Sequence, residues 1–170
     1  MPKAFSLLGA TGSIGQSTLA IAAQFPERFD VRALTANTRI DLLAEQIRQF
    51  RPQVAVVGDA AHAHRLEKML PGGPPTEVLY GEEGYQAAAA LDGVDMVVGA
   101  MVGAVGLKPT LAAISAGKDV ALANKETLVM AGEAVMGQVA ANGVRLLPVD
   151  SEHSAIFQSL VGHRRSDLDK

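Results

Sequence analysis

Apolar residues along this chain follow two rhythms. Short apolar runs at 4–8, 29–35, 54–57, 95–98, 119–123 and 144–149 have the length and composition of buried parallel strands. Between them lie longer stretches, at 16–24, 40–50, 60–70, 82–91, 107–116 and one running to 138, that read as helices. The stretch 40–50 shows helical spacing in Leu42, Leu43, Ile47 and Phe50, and Arg51-Pro52 ends it. Residues 77–80 predict an additional strand and 155–160 a last helix. Pro71-Gly72-Gly73-Pro74-Pro75 reads as a stiff surface loop too short to link domains, and the tail from Val161 to Lys170 is polar, with no closing element. Strand and helix alternate throughout. The pattern predicts a doubly wound α/β domain with a mostly parallel sheet.

Polar residues gather at the C-terminal ends of the strands, the crevice where open parallel sheets bind ligands. The first such end is Gly9-Ala10-Thr11-Gly12-Ser13-Ile14-Gly15. Strand, glycine turn and helix aim backbone N–H groups and a helix N-terminus at a phosphate. Gly9 would make the turn, Gly12 would let a pyrophosphate approach, and Gly15 would let helix and strand pack closely. Thr11 and Ser13 add hydroxyls. The spacing is G-x-x-G-x-x-G rather than G-x-G-x-x-G, and a ligand-free turn is the competing reading. Three glycines with two hydroxyls favour the nucleotide loop.

In such folds an acid at the end of the second strand holds the ribose 2′-OH of NAD. Here no carboxylate stands at that end; Asp30 opens the strand, and Asn37-Thr38-Arg39 follow its close. Two neutral hydrogen-bonding groups and a cation suit a 2′-phosphate, which points to NADP over an ordinary surface turn.

Further along, Gly99, Gly103 and Gly106 mark a second glycine-rich strand end, equally consistent with close packing and with cofactor contact. In Asn124-Lys125-Glu126, Asn124 suits a helix cap and Glu126 the first turn. Lys125 opposes the helix dipole there and better suits an anionic or hydroxylated substrate. Asp150-Ser151-Glu152 follows a strand; were the chain extended, both carboxylates would face one hard cation, Mg²⁺ or Mn²⁺. On spacing alone a capped helix is the commoner reading. His153 is expected to point away from these carboxylates and serve structure, while His62 and His64 sit on different helix faces and make a poor metal pair.

Composition narrows the classes. The chain has 170 residues, 48% of them apolar, enough for a sizeable core. A net charge of -3 with no basic run gives nucleic-acid binding no support. Without cysteine there is no disulfide framework or thiolate chemistry. The uncharged residues 4–26 resemble a leader, but Gly9, Gly12 and Gly15 and the polar Thr11, Ser13, Gln16, Ser17 and Thr18 interrupt them. The apolar stretch 96–107 is too short to span a bilayer. A soluble, cytoplasmic protein is expected.

Three blocks together resemble the 1-deoxy-D-xylulose 5-phosphate reductoisomerase family. They are Gly9-Ala10-Thr11-Gly12-Ser13-Ile14-Gly15, Leu122-Ala123-Asn124-Lys125-Glu126-Thr127-Leu128, and Leu147-Pro148-Val149-Asp150-Ser151-Glu152-His153-Ser154-Ala155-Ile156-Phe157-Gln158. The resemblance implies NADPH binding at Thr11, Gly12, Ser13 and Ile14, at Asn37, Thr38 and Arg39, and at Asn124 and Glu126. It implies substrate contacts at Lys125, Ser151 and Glu152, metal ligation by Asp150 and Glu152, and catalytic roles for Lys125, Asp150 and Glu152. Asn37-Thr38-Arg39 departs from the Gly-Lys-Asn-like pattern frequent in the family. The implied reaction rearranges a sugar-phosphate skeleton and reduces the resulting aldehyde with NADPH and Mg²⁺ or Mn²⁺, giving the isoprenoid precursor 2-C-methyl-D-erythritol 4-phosphate. Residues 1–149 would form the cofactor domain and 150–170 the start of the catalytic domain. The family's third metal carboxylate, phosphate-binding residues, flexible loop and C-terminal helical domain would lie beyond Lys170. The chain alone is therefore expected to be inactive, and the complete enzyme a homodimer; the alternative readings are a stand-alone NADP-binding module and another Rossmann-type NADP-linked reductase.

Overall fold

The computed structural model describes residues 1–72 and 75–164. Gly73 and Pro74 of the proline–glycine loop, and 165–170 of the polar tail, lie outside the described residues. Seven strands form one sheet: β1 (Lys3–Leu8), β2 (Phe29–Thr35), β3 (Val54–Val57), β4 (Glu77–Tyr80), β5 (Met96–Gly99), β6 (Asp119–Leu122) and β7 (Leu146–Pro148). Their order is β4-β3-β2-β1-β5-β6-β7, and every adjacent pair is parallel. The sheet grows outward from β1 to β4, then resumes on the other side of β1 with β5. The topological switch point therefore lies between β1 and β5, where Leu7 pairs with Val98 and Leu8 with Gly99.

Adjacent residues of β1 serve opposite faces, as a pleated strand requires. Leu7 belongs to a core with Leu19 of α1 (Ser13–Gln24), Leu43 and Ile47 of α2 (Ile40–Phe50) and Leu66 of α3 (Ala60–Met69). Leu8 belongs to a second core with Tyr85 and Ala88 of α4 (Gly81–Ala89), Ile114 of α5 (Leu107–Ser115) and Val135 of α6 (Lys125–Asn142). Both faces are covered, which is why β3 reads as an unbroken apolar run and β1 as one interrupted only at Ser6 after its opening lysine. Ser6 is the polar exception in β1, and its hydroxyl donates to Ala88 O at 2.7 Å. Helix α2 buries Ile40, Leu43, Ala44 and Ile47, an i, i+3, i+4, i+7 stripe. It ends at Arg51, whose left-handed φ of 51° turns the chain into Pro52.

The largest differences from the sequence reading lie in the last third of the chain. Helix α6 runs to Asn142 rather than 138 and stops where Gly143 adopts φ 64°. It also breaks within, at Ala131, where φ is -145°. The last helix, α7 (Ser151–Leu160), starts four residues before the expected Ala155. Strand β7 is also shorter than expected, Leu146–Pro148 rather than 144–149.

Candidate active site

The glycine loop is closed from behind and open in front. A Cβ on Gly9, which has φ 90°, would stand 2.5 Å from Ala100 O, and one on Gly15 would collide with Gly9 O and the Ala10 carbonyl. Gly12 differs. Its backbone is extended, it is exposed, and a Cβ there would meet only Gly9 O at 3.5 Å. Gly12 immediately precedes Ser13, the first residue of α1, whose leading N–H groups have no intrahelical acceptors. Close packing fixes two glycines, and ligand access suits the third.

In front of the loop lies a cleft of about 680 Å³, lined by Gly9, Thr11, Gly12, Asn37, Tyr85 and Met101 among others. Asn37 packs so closely on Gly58 that any side chain there would strike its Oδ1, and Gly58 N donates to Asn37 O at 3.0 Å. Thr38 is exposed in the same turn. Arg39 reaches back instead, donating from Nη1 to Thr11 O at 2.8 Å. Of the three 2′-phosphate candidates, Arg39 is thus tied to the glycine loop and Asn37 to Gly58, and no carboxylate ends β2. A loop open only at Gly12, at a helix N-terminus above a cleft of this size, fits a dinucleotide.

A second pocket, of about 280 Å³, is lined by Ile14, Asn124, Lys125, Glu126, Asp150, Ser151 and Glu152. It shares Ala100, Met101 and Val102 with the cleft, so the two adjoin. Asn124 occupies the N-cap position of α6 but makes no capping bond with its side chain. Its Nδ2 donates to Gly103 O at 2.9 Å, and its buried Oδ1 has no partner. The expected cap is therefore a strut between α6 and the 3₁₀ turn Gly103–Gly106. The second glycine-rich strand end takes its meaning from this contact, since a side chain at Gly106 would strike Asn124 Nδ2.

Asp150 caps α7, its Oδ1 accepting from His153 N at 2.9 Å. Ser151 and Glu152 are consequently helical, and the extended-chain geometry that would align the two carboxylates is not formed. Nor does His153 point away: its Nδ1 lies 2.7 Å from Asp150 Oδ1, because both atoms sit in the capping turn. These bonds, the backbone one foremost, hold the Asp150 carboxyl below the usual range. Glu152 is lowered as well, chiefly by its own backbone N–H, then by Ser151 Oγ donating at 2.9 Å and by Lys125. Lys125 Nζ stands 4.0 Å from Glu152 Oε1, so the cation that opposes its own helix dipole has an acid opposite. Among the described residues no group of three or more His, Cys, Asp or Glu side chains could hold a metal ion. Two carboxylates are present where a hard cation takes about six oxygens. They fit a partial donor set.

Sequence reading missed the roles of Thr35, whose Oγ1 accepts from Gly9 N at 2.9 Å, and of Tyr85, whose hydroxyl donates to Ala36 O at 3.0 Å. These are pairings across 26 and 49 residues, and no local pattern announces them.

The model of the 1-deoxy-D-xylulose 5-phosphate reductoisomerase family matches residues 5–132. The chain belongs to that family. A reductoisomerase from Desulfosudis oleivorans is 60% identical over 168 residues, covering 99% of this chain and 44% of the relative. One from Chlorobaculum tepidum is 55% identical over the same length. The chain thus spans less than half the length of these curated relatives. The Zymomonas mobilis reductoisomerase in complex with NADPH superposes with a TM-score of 0.92 at 43% identity, covering 98% of this chain and 43% of that one. A reductoisomerase solved with NADPH, fosmidomycin and magnesium gives 0.88 at 42% identity, covering 95% and 42%. A biliverdin reductase, 18% identical with a TM-score of 0.57, shares the fold alone. No helix among the described residues is long and apolar enough to cross a membrane.

Proposed function

We propose that this chain is the NADPH-binding portion, and the first part of the catalytic site, of a reductoisomerase. The enzyme would convert 1-deoxy-D-xylulose 5-phosphate to 2-C-methyl-D-erythritol 4-phosphate. The observation that carries this reading is that the two pockets adjoin, with Ala100, Met101 and Val102 lining both. A dinucleotide held at its pyrophosphate by the Gly12 loop extends along the sheet edge in both directions. Asn37 and Arg39 then take its adenosine end, and its other end reaches Asn124 and Glu126, beside Lys125, Ser151 and Glu152. Residues 1–149 form the cofactor domain in this reading, and 150–170 begin the catalytic one.

When bound, NADPH supplies a hydride, and a divalent cation polarises substrate oxygens. The residues of this chain do the holding. Lys125 offers an ammonium to substrate oxygens, with Glu152 opposite to fix its position. Ser151 offers a hydroxyl on the same rim. Asp150, kept ionised by its capping bonds, presents a carboxylate for magnesium or manganese, with Glu152 as a second donor. The magnesium and NADPH bound by solved relatives support the cofactor assignment. Manganese and a homodimer rest on the family resemblance, and a cytoplasmic location on the composition of the chain.

Completing this chain with the C-terminal part of the Desulfosudis oleivorans relative tests the reading. The product should oxidise NADPH in the presence of 1-deoxy-D-xylulose 5-phosphate and Mg²⁺, and Lys125→Ala should abolish it. A folded product that binds no NADPH, or one that keeps its rate without Lys125, overturns the reading.

A further inference from the structure

Gln46 lies in the middle of α2, on its buried face, and only 6% of its surface is exposed. Its Nε2 donates to Ala10 O at 3.0 Å, and its Oε1 is buried without a partner. A buried amide whose oxygen makes no hydrogen bond is unfavourable, so some other benefit must keep it there. The orientation is fixed, because turning the amide would set its oxygen against the Ala10 carbonyl.

The benefit is visible in the glycine loop. Leu8 O accepts from Ala100 N at 2.8 Å, Gly9 O from Gly12 N at 3.2 Å, and Thr11 O from Arg39 and from Gln16 Nε2 at 3.1 Å. Gly12 O accepts from Gln16 N at 2.9 Å. Ala10 O is the remaining carbonyl of the loop, and Gln46 holds it. Every carbonyl between the end of β1 and the start of α1 is thus occupied from within the protein. A carbonyl released from this arrangement could rotate toward the cleft, where its negative end would face a pyrophosphate.

We propose that Gln46 is a positioning residue for the dinucleotide pyrophosphate. It anchors the Ala10 carbonyl inside the fold so that the loop presents donors alone to the ligand. The proposal rests on the cleft being a dinucleotide site. It predicts a defect specific to the pyrophosphate, whereas Arg39 and Asn37 are assigned to the other end of the nucleotide.

The test is calorimetric titration of the 170-residue chain with NADPH, NADH, ADP and 2′-AMP. Gln46→Met keeps the length and apolar stem and removes both the donor and the unpaired oxygen. It should raise the Kd of NADPH, NADH and ADP by a common factor of about ten, the loss of one hydrogen bond and its ordering. Binding of 2′-AMP, which has no pyrophosphate, should be unchanged, as should the melting temperature to within a few degrees. Gln46→Glu, which sets an oxygen against Ala10 O, should weaken ADP further still. An unchanged Kd for ADP in Gln46→Met, or an equal loss for ADP and 2′-AMP, overturns the positioning role. A wild-type chain that binds none of the four overturns the dinucleotide reading itself.

Discussion

Arg39 crosses from the end of β2 to the glycine loop and donates to Thr11 O at 2.8 Å. A residue read from sequence as a 2′-phosphate ligand is therefore also a brace of the pyrophosphate loop. The two roles separate in a variant. Arg39→Ala should weaken NADPH about tenfold or more, since it loses a charge-assisted contact together with the brace. NADH, which has no 2′-phosphate, should weaken only about threefold, through the brace alone. Calorimetry with both cofactors measures the difference, and equal losses would remove the 2′-phosphate assignment.

Asp150 combines a cap with a candidate metal ligand, and substitution can keep one and discard the other. Asparagine caps helices as well as aspartate, so Asp150→Asn should leave the melting temperature nearly unchanged. In the completed enzyme the same change should abolish turnover, because a neutral amide is a poor partner for a hard cation. Asp150→Ala should instead destabilise the chain by about 1 kcal/mol. An active Asp150→Asn enzyme with an unchanged Mg²⁺ requirement would end the metal assignment.

The fold was legible because both sheet faces are covered. Strands such as Val54–Val57, buried at every position, then show as apolar runs, and one-sided helices such as Ile40–Phe50 show as stripes. The ends of the chain's later helices were less so. Gly143 stops α6 through its own left-handed backbone, a choice that four further helix-compatible residues before it conceal. Asp150-Ser151-Glu152-His153 suits both an extended metal-binding segment and a capped helix, and the capping bonds from His153 settle it. The candidate site residues were legible where they cluster in sequence. Gln46 and Tyr85 escaped because their meaning comes from carbonyls 36 and 49 residues away.

Acid sensitivity should centre on Asp119, at the opposite end of the sheet from the site. Its Oδ2 accepts from Arg145 Nε at 3.0 Å and its Oδ1 from Arg145 N at 2.9 Å. The Arg145 side chain foremost, then its backbone N–H, holds this carboxyl below the ordinary range. A depressed folded-state pKa contributes stability that is present above the unfolded value and lost as pH falls through the folded one. Melting temperature should therefore drop below about pH 4. Asp119→Asn should lower stability by about 1 kcal/mol at neutral pH, Arg145 being largely exposed, and flatten that acid limb. An identical acid limb in wild type and variant would show that other groups govern it.

Turnover and cofactor binding should part company in the 170-residue chain. Both cores are built around the sheet, whereas α7 buries none of its residues, and among the described residues no group of three or more His, Cys, Asp or Glu could hold a metal ion. The purified chain should bind NADPH and leave it unoxidised when given 1-deoxy-D-xylulose 5-phosphate and Mg²⁺. Absorbance at the reduced-nicotinamide band follows this directly, and steady substrate-dependent loss would show that the chain suffices.

The three loop glycines offer the sharpest separation of packing from ligand access. Gly15→Ala places a methyl group against Gly9 O and the Ala10 carbonyl, backbone atoms that move only if α1 shifts off β1. Overpacking of this kind costs about 1–3 kcal/mol, so Gly15→Ala should melt early and lose cofactor with its fold. Gly12→Ala meets no such obstacle: its φ of -76° is open to any residue, and the nearest atom to a new Cβ is Gly9 O, at ordinary contact distance. Its melting temperature should change by the equivalent of less than about 1 kcal/mol, the difference between glycine and alanine at a helix N-cap. The methyl group would nevertheless stand where the pyrophosphate approaches the helix N-terminus. NADPH and ADP should therefore bind at least about tenfold more weakly, since phosphate oxygens are kept from the N–H donors by roughly one methyl radius. A melt beside a titration for each variant decides the matter. Gly12→Ala binding ADP like the wild type would place the pyrophosphate elsewhere, however stable the variant proved.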